Sequence, residues 1–256
     1  MVKEDEAGVN TAATEWVRVL RPDQAPRRQL VCLPPGGGSA AFYRELARHI
    51  GQGVDVAAVQ YPGRQDRLGD PMITDLHELA DRIAADLLRQ PSRPRALFGH
   101  SMGATVAYET ARRLATAGQP VQQLIVSGRP APTFVENGRL HRGSDAALID
   151  DLERLATDPA PVRLLRTEPG LADLVLPAVR ADYQAVETYR HQPGPPLSCP
   201  IVALVSTEDP TTTPAQAEQW RAFTEGPFSI RTFAGGHFYL DEQPAEVARE
   251  ITRHLN

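Results

Sequence analysis

Short, continuous apolar runs alternate with longer amphipathic stretches along most of this chain. The runs at 29–33 (QLVCL), 54–59 (VDVAAV), 123–127 (QLIVS) and 201–206 (IVALVS) lack the polar alternation of a half-exposed strand. They predict strands buried on both faces. Ala96-Leu97-Phe98 reads as one more, and 16–20 (WVRVL) and 228–233 as two others. Helical spacing fills the gaps. Segment 41–50 places Phe42, Leu46 and Ile50 together, and 74–88 aligns Leu76, Leu79, Ala80, Ile83, Ala84 and Leu87, with Thr74 or Asp75 as its cap. Segments 104–117, 214–223 and 244–255 follow the same period. Alternating strands and helices predict an α/β fold, a mostly parallel central sheet with helices on both faces. Ligands of such sheets bind beyond the carboxyl ends of the strands.

The alternation breaks between 131 and 196. No strand pattern occurs there. Helical pieces span 145–156, 162–166 and about 171–189, punctuated by prolines. The last carries Leu171, Val175, Val179, Tyr183 and Val186 on one stripe. An all-helical insertion between two sheet strands predicts a lid over the active edge, at about 131–196.

Composition narrows the function. The chain has 256 residues, enough for one buried domain, and a net charge of −5, which argues against nucleic acid as a partner. No apolar run approaches a membrane span. The polar stretch 1–14 lacks the apolar core of a signal peptide and predicts a flexible tail before one domain at 15–256. A cytoplasmic, reducing setting is expected. Cys32 and Cys199 are too few and too far apart for a disulfide framework, and neither has metal-ligand spacing. No metal site and no cofactor are expected.

The chemistry concentrates at three strand ends. Gly99-His100-Ser101-Met102-Gly103 is a G-x-S-x-G turn between a strand and a helix. That context makes Ser101 the apex of a nucleophile elbow. A serine hydroxyl needs an imidazole to take its proton, and the imidazole needs a carboxylate to orient it. Where this elbow is used, the order along the chain is Ser, then Asp or Glu, then His. His237 follows the 228–233 strand after two glycines, whereas His254 lies within the last helix pattern. His100 is too close to Ser101 to serve as its base, and His49, His77, His141 and His191 read as surface residues. Two stations can hold the acid. The one after 123–127 reads Gly128-Arg129-Pro130, without a carboxylate. The one after 201–206 carries Asp209, with Glu208 as a weaker alternative. An oxyanion hole needs two backbone N–H groups. Met102 supplies one and, by position, Gly36 the other, since Pro35 has no N–H.

Taken together, LPPGGGSAAFYREL, VQYPGRQDRL, LFGHSMGA, VSGRPAP and FAGGHFYL resemble the stand-alone type II thioesterases of polyketide and nonribosomal peptide assembly lines. The resemblance runs from about Trp16 to the last helix. It implies an α/β-hydrolase fold with a helical lid. It also implies hydrolysis of acyl thioesters on the phosphopantetheine arm of acyl or peptidyl carrier proteins, removing stalled or aberrant acyl groups. Ser101 would be the nucleophile, His237 the base and Asp209 the acid, with Gly36 and Met102 as oxyanion donors. Leu171, Val175 and Val179 would wall the acyl chamber, and Arg64 and Arg67 would either meet the carrier or the pantetheine phosphate or be solvated or fold-stabilising arginines. One departure is visible: the family's loop usually has His where this chain has Pro35. A product-releasing thioesterase and a carboxylesterase or lipase are the alternatives. Both ends of the sequence read as those of a free-standing editor, and a monomer is expected.

Overall fold

A computed structural model describes residues 16–255; the 1–14 tail predicted above lies outside them. Seven strands form one sheet: β1 (Val17–Arg21), β2 (Arg28–Leu33), β3 (Val54–Val59), β4 (Arg95–His100), β5 (Gln123–Ser127), β6 (Ile201–Ser206) and β7 (Phe228–Phe233). Their order is β1-β3-β2-β4-β5-β6-β7. Only β1 runs antiparallel, against β3; the other pairs are parallel. The helices are α1 (Arg44–His49), α2 (Leu76–Arg89), α3 (Met102–Thr116), α4 (Asp145–Leu155), α5 (Ala160–Thr167), α6 (Pro169–Thr188), α7 (Pro214–Glu218), α8 (Tyr239–Glu242) and α9 (Pro244–Leu255).

The apolar runs are buried as their composition requires. Every residue of β4, β5 and β6 is buried. One face of the sheet packs on α2 and α3 through Leu79, Ile83, Val106 and Leu114. The other packs on α1 and α9 through Leu46, Val247 and Ile251. Asp75 caps α2 by accepting the Glu78 N–H at 2.9 Å.

Two predicted helices are each divided. The 41–50 segment begins as a 3₁₀ turn, Ala40–Tyr43, before α1. Its tighter winding accompanies two buried bonds, Ala40 N–H to Gln60 Oε1 at 3.1 Å and Tyr43 O–H to the Leu33 carbonyl at 2.8 Å. The 214–223 segment passes from α7 into a 3₁₀ turn, Gln219–Phe223, in which buried Trp220 donates to the Arg129 carbonyl at 2.9 Å.

Between β5 and β6 the described chain is helical, with no strand. Helices α4, α5 and α6 share a small apolar cluster of their own around Ile149, Leu165 and Leu176. The buried side of α6 turns instead to the main body, carrying Val179, Asp182 and Ala185.

Candidate active site

Strand β4 is fourth of seven, so its end delivers Ser101 to the middle of the sheet edge. Ser101 has φ 55° and ψ −123°, a left-handed conformation that a residue with a Cβ adopts only when its surroundings force it. The force comes from close packing on both sides. A Cβ on Gly99 would lie 2.0 Å from the Gly103 carbonyl oxygen, and one on Gly103 would lie 2.0 Å from the Leu33 carbonyl oxygen. The Ser101 N–H is held by the Ser127 carbonyl at 2.8 Å. Its hydroxyl does not cap α3.

His237 and Asp209 come together beneath the loop after β7. His237 Nδ1 lies 2.9 Å and 3.0 Å from the two Asp209 carboxylate oxygens. Burial works against the Asp209 charge, but the bond to His237 and two from Thr211 outweigh it, so its pKa sits below the usual carboxylate value. Thr211 donates from its backbone at 2.8 Å and from its hydroxyl at 2.7 Å. With Nδ1 engaged, Nε2 is the nitrogen left for proton transfer. Glu208 is not part of this arrangement: His237 bonds Asp209.

The empty acid station after β5 has a spatial reason. Gly128 has φ +57°, and a Cβ there would stand 2.7 Å from His100 Cε1 and 3.4 Å from Asp209 Oδ2. Glycine leaves room for the acid arriving from β6. His100 is fully buried, with its ring centroid 4.8 Å from that of His237. Its Nδ1 pairs with Ser127 Oγ at 2.9 Å, and Ser127 Oγ is 2.6 Å from the Tyr239 hydroxyl. Burial, and then the neighbouring His237, hold His100 well below the ordinary histidine pKa.

Ser101, Met102, His237 and Gly36 line one cavity of about 340 Å³, roofed by Tyr183 and Glu187 of α6. The N–H groups of Gly36 and Met102 find no protein acceptor among the described residues. A second, mostly apolar cavity of about 570 Å³ adjoins it and is lined by Leu171, Val175, Val179 and Val162. The two share Pro35, Gly36, Leu152 and Phe238 as common wall. The expected acyl-chamber residues therefore surround the neighbouring cavity rather than Ser101 itself.

Arg64 and Arg67 follow the fold-stabilising of the two readings. Both are buried. Arg64 grips Asp182 of α6 through two bonds, at 2.5 and 2.9 Å, and reaches the Gly38 carbonyl at 3.1 Å. Arg67 bonds Asp70 at 2.7 Å and the Gln60 carbonyl at 3.0 Å, and lies 4.3 Å over the Trp16 ring. Guanidiniums so enclosed do not present themselves to a carrier surface. The YPGR turn is extended outward by its chemistry but folded inward by these partners. His141 also departs from its surface reading: its side chain is buried against Glu187, which accepts as well from the Leu140 and His141 N–H groups.

Sequence reasoning passed over Asp182, Thr211 and the His100–Ser127–Tyr239 chain. Asp182 did carry a signal. It falls three residues after Val179 and four before Val186, a carboxylate on the buried stripe of a helix.

A mostly parallel sheet with an elbow serine, a lid and a His–Asp pair at its carboxyl edge is an α/β-hydrolase, and residues 28–255 match the thioesterase domain family. The chain belongs to that family. It is 40% identical over 250 residues to thioesterase PikA5 of Streptomyces venezuelae, covering 96% of this chain and 88% of that one. Among solved structures it superposes on the type II thioesterase BorB of the borrelidin cluster with a TM-score of 0.85 and 44% identity, covering 94% and 98% of the two chains. RedJ, from the prodiginine pathway of Streptomyces coelicolor, matches with a TM-score of 0.82 and 36% identity over 90% of this chain and 86% of that one.

Proposed function

We propose that this protein is an editing thioesterase, which hydrolyses aberrant or stalled acyl groups from the phosphopantetheine arm of acyl or peptidyl carrier proteins. The observation that carries the reading is the shared cavity. A strained serine and an Asp-oriented histidine occupy one chamber, next to two backbone N–H groups without acceptors, and an apolar cavity opens beside it.

Ser101 Oγ attacks the thioester carbonyl carbon while His237 Nε2 takes its proton. The developing oxyanion is met by the Gly36 and Met102 N–H groups. As the tetrahedral species collapses, the C–S bond breaks and His237 returns the proton to the leaving thiol. Water then attacks the acyl-Ser101 ester, giving a proton to His237; the acyl C–Oγ bond breaks, His237 returns the proton to Ser101 Oγ, and the carboxylic acid leaves. Asp209 stabilises the imidazolium formed in each half. The acyl chain extends toward Leu171, Val175 and Val179.

The arm enters from the other side. A cavity of about 350 Å³ is lined by Arg139, Arg142 and Arg190 and shares Glu136, Gly138 and Glu187 with the catalytic chamber. These three arginines are exposed, and they take the phosphate-facing role expected of Arg64 and Arg67.

Mass spectrometry of a panel of acylated carrier proteins tests the reading. Short acyl groups are expected to be released, and Ser101→Ala is expected to leave them attached. A higher kcat/KM on oxygen esters than on matched carrier thioesters would refute it. Preference for a full-length product chain would make this a releasing enzyme instead.

A further inference from the structure

The loop that supplies one oxyanion donor is built from Gly36, Gly37 and Gly38, the most conformationally free residues available. Left alone, such a loop would not hold an N–H in one direction. Its second residue has φ +74°, and its only internal bond is Gly38 N–H to the Pro35 carbonyl at 2.9 Å. What holds it comes from elsewhere. Asp182 of α6 accepts the Gly37 N–H at 2.7 Å with the same oxygen that accepts Arg64 Nη1. Arg64 in turn donates to the Gly38 carbonyl. Two peptide groups of the loop, 36–37 and 38–39, are therefore gripped by one buried ion pair, whose members sit on the lid and on the turn after β3.

The pair is specialised for this. Asp182 is 2% exposed, and the guanidinium meets it with both nitrogens, the geometry that fixes direction as well as distance. Gln65, the residue after Arg64, is held at φ 52°, a strained turn that accompanies the inward path of the arginine. The Val179 side chain, one turn earlier on α6, comes within 3.1 Å of where a Gly37 Cβ would be, so a larger residue there would crowd the lid as well as strain the backbone.

We propose that Asp182 and Arg64 are positioning residues: they fix the Gly36–Gly38 loop so that the Gly36 N–H faces the reacting carbonyl, and they make oxyanion stabilisation depend on α6 being docked. The proposal rests on the serine-hydrolase part of the reading above and not on the choice of thioester. A donor displaced by about 1 Å loses on the order of 10²-fold in rate, comparable to deleting it.

The test compares Arg64→Met/Asp182→Leu with Arg64→Met/Asp182→Asn. Both remove the ion pair with side chains of similar volume, a change that buried pairs often tolerate. They differ in that Asn keeps an acceptor for the Gly37 N–H. Rates are measured on an acyl-N-acetylcysteamine thioester and on a p-nitrophenyl ester, normalised to Ser101 sites titrated with a fluorophosphonate. The expected result is a kcat about 10–100-fold below wild type for the Leu form. Its KM should change less than about threefold, with kcat partly restored in the Asn form, which regains the Gly37 acceptor but still lacks the Arg64 bond to the Gly38 carbonyl. Equal kcat in the two forms, or a Leu form within about twofold of wild type, overturns the proposal. If the Leu form does not fold, Asp182→Glu decides. It keeps the charge pair and lengthens the arm by one methylene, so a lower kcat at unchanged KM supports the proposal and an unchanged kcat overturns it. Wild-type enzyme active on the ester but not the thioester would overturn the substrate reading alone.

Discussion

His100 should make the folded protein sensitive to mild acid. The ring is fully buried beside His237, and its folded pKa lies well below the ordinary value, first through burial and then through its neighbour. The unfolded chain titrates this residue near the reference value of about 6.5. Between the two values the unfolded state holds a proton that the folded state does not. Stability from His100 is therefore complete above about pH 6.5 and is lost as pH falls, by about 1.4 kcal/mol per pH unit. The loss continues down to the folded value, drawing on a stability that is typically only about 5–15 kcal/mol. His100→Gln removes the titration and keeps a polar group for Ser127. Urea unfolding of both proteins at about pH 7.5, 6 and 5 measures the difference. The variant is expected to be the less stable near neutrality and to gain steadily on wild type as the pH falls below about 6.5. A gap between the two that stays constant with pH would refute the reasoning. In the proposed mechanism the same neutrality helps, because a charged His100 would oppose an imidazolium on His237.

Other outcomes follow from the same geometry. Asp209→Asn loses the charge that orients His237, so kcat should fall by about 10⁴-fold with a well-folded protein by circular dichroism. Gly103→Ala drives a Cβ to within 2.0 Å of the Leu33 carbonyl oxygen. It should cost more than about 3 kcal/mol, read as a fall of at least about 6–12 °C in Tm. Asp75→Ala removes the α2 cap and should cost about 1 kcal/mol, a drop of roughly 2–4 °C, with kcat unchanged.

The inner strands were legible because they are buried on both faces and so are written as nearly unbroken apolar runs; the ranges predicted for β3, β5 and β6 coincide with those observed, as does that of the more exposed β7. Ser101, Asp209 and His237 could be placed at one sheet edge because each falls within a few residues of a strand end. The roles of Arg64 and Arg67 could not be read. An arginine in a polar turn has the same local pattern whether it faces solvent or a carboxylate 118 residues away, as Arg64 faces Asp182. Local periodicity does not encode that partner. The same holds for His141 and Glu187, which meet only because the segment before α4 folds back on the end of α6.

The small apolar cluster shared by α4, α5 and α6 has a kinetic consequence. Local opening is cheapest where few apolar contacts are buried, and dearest in the core. Tyr189 is buried just past the end of α6, bonding Glu109 of α3 at 2.9 Å, while α5 buries a single residue, Leu165. The cover over the cavities is thus unequal in its two halves. Amide exchange should be fastest in α5, slower in α6 and slowest in β4, beneath the serine. The apolar cavity lined by Val162 and Leu165 can then open by breathing of α5 alone, on its own clock, while β4 and the loop after β7 stay in register.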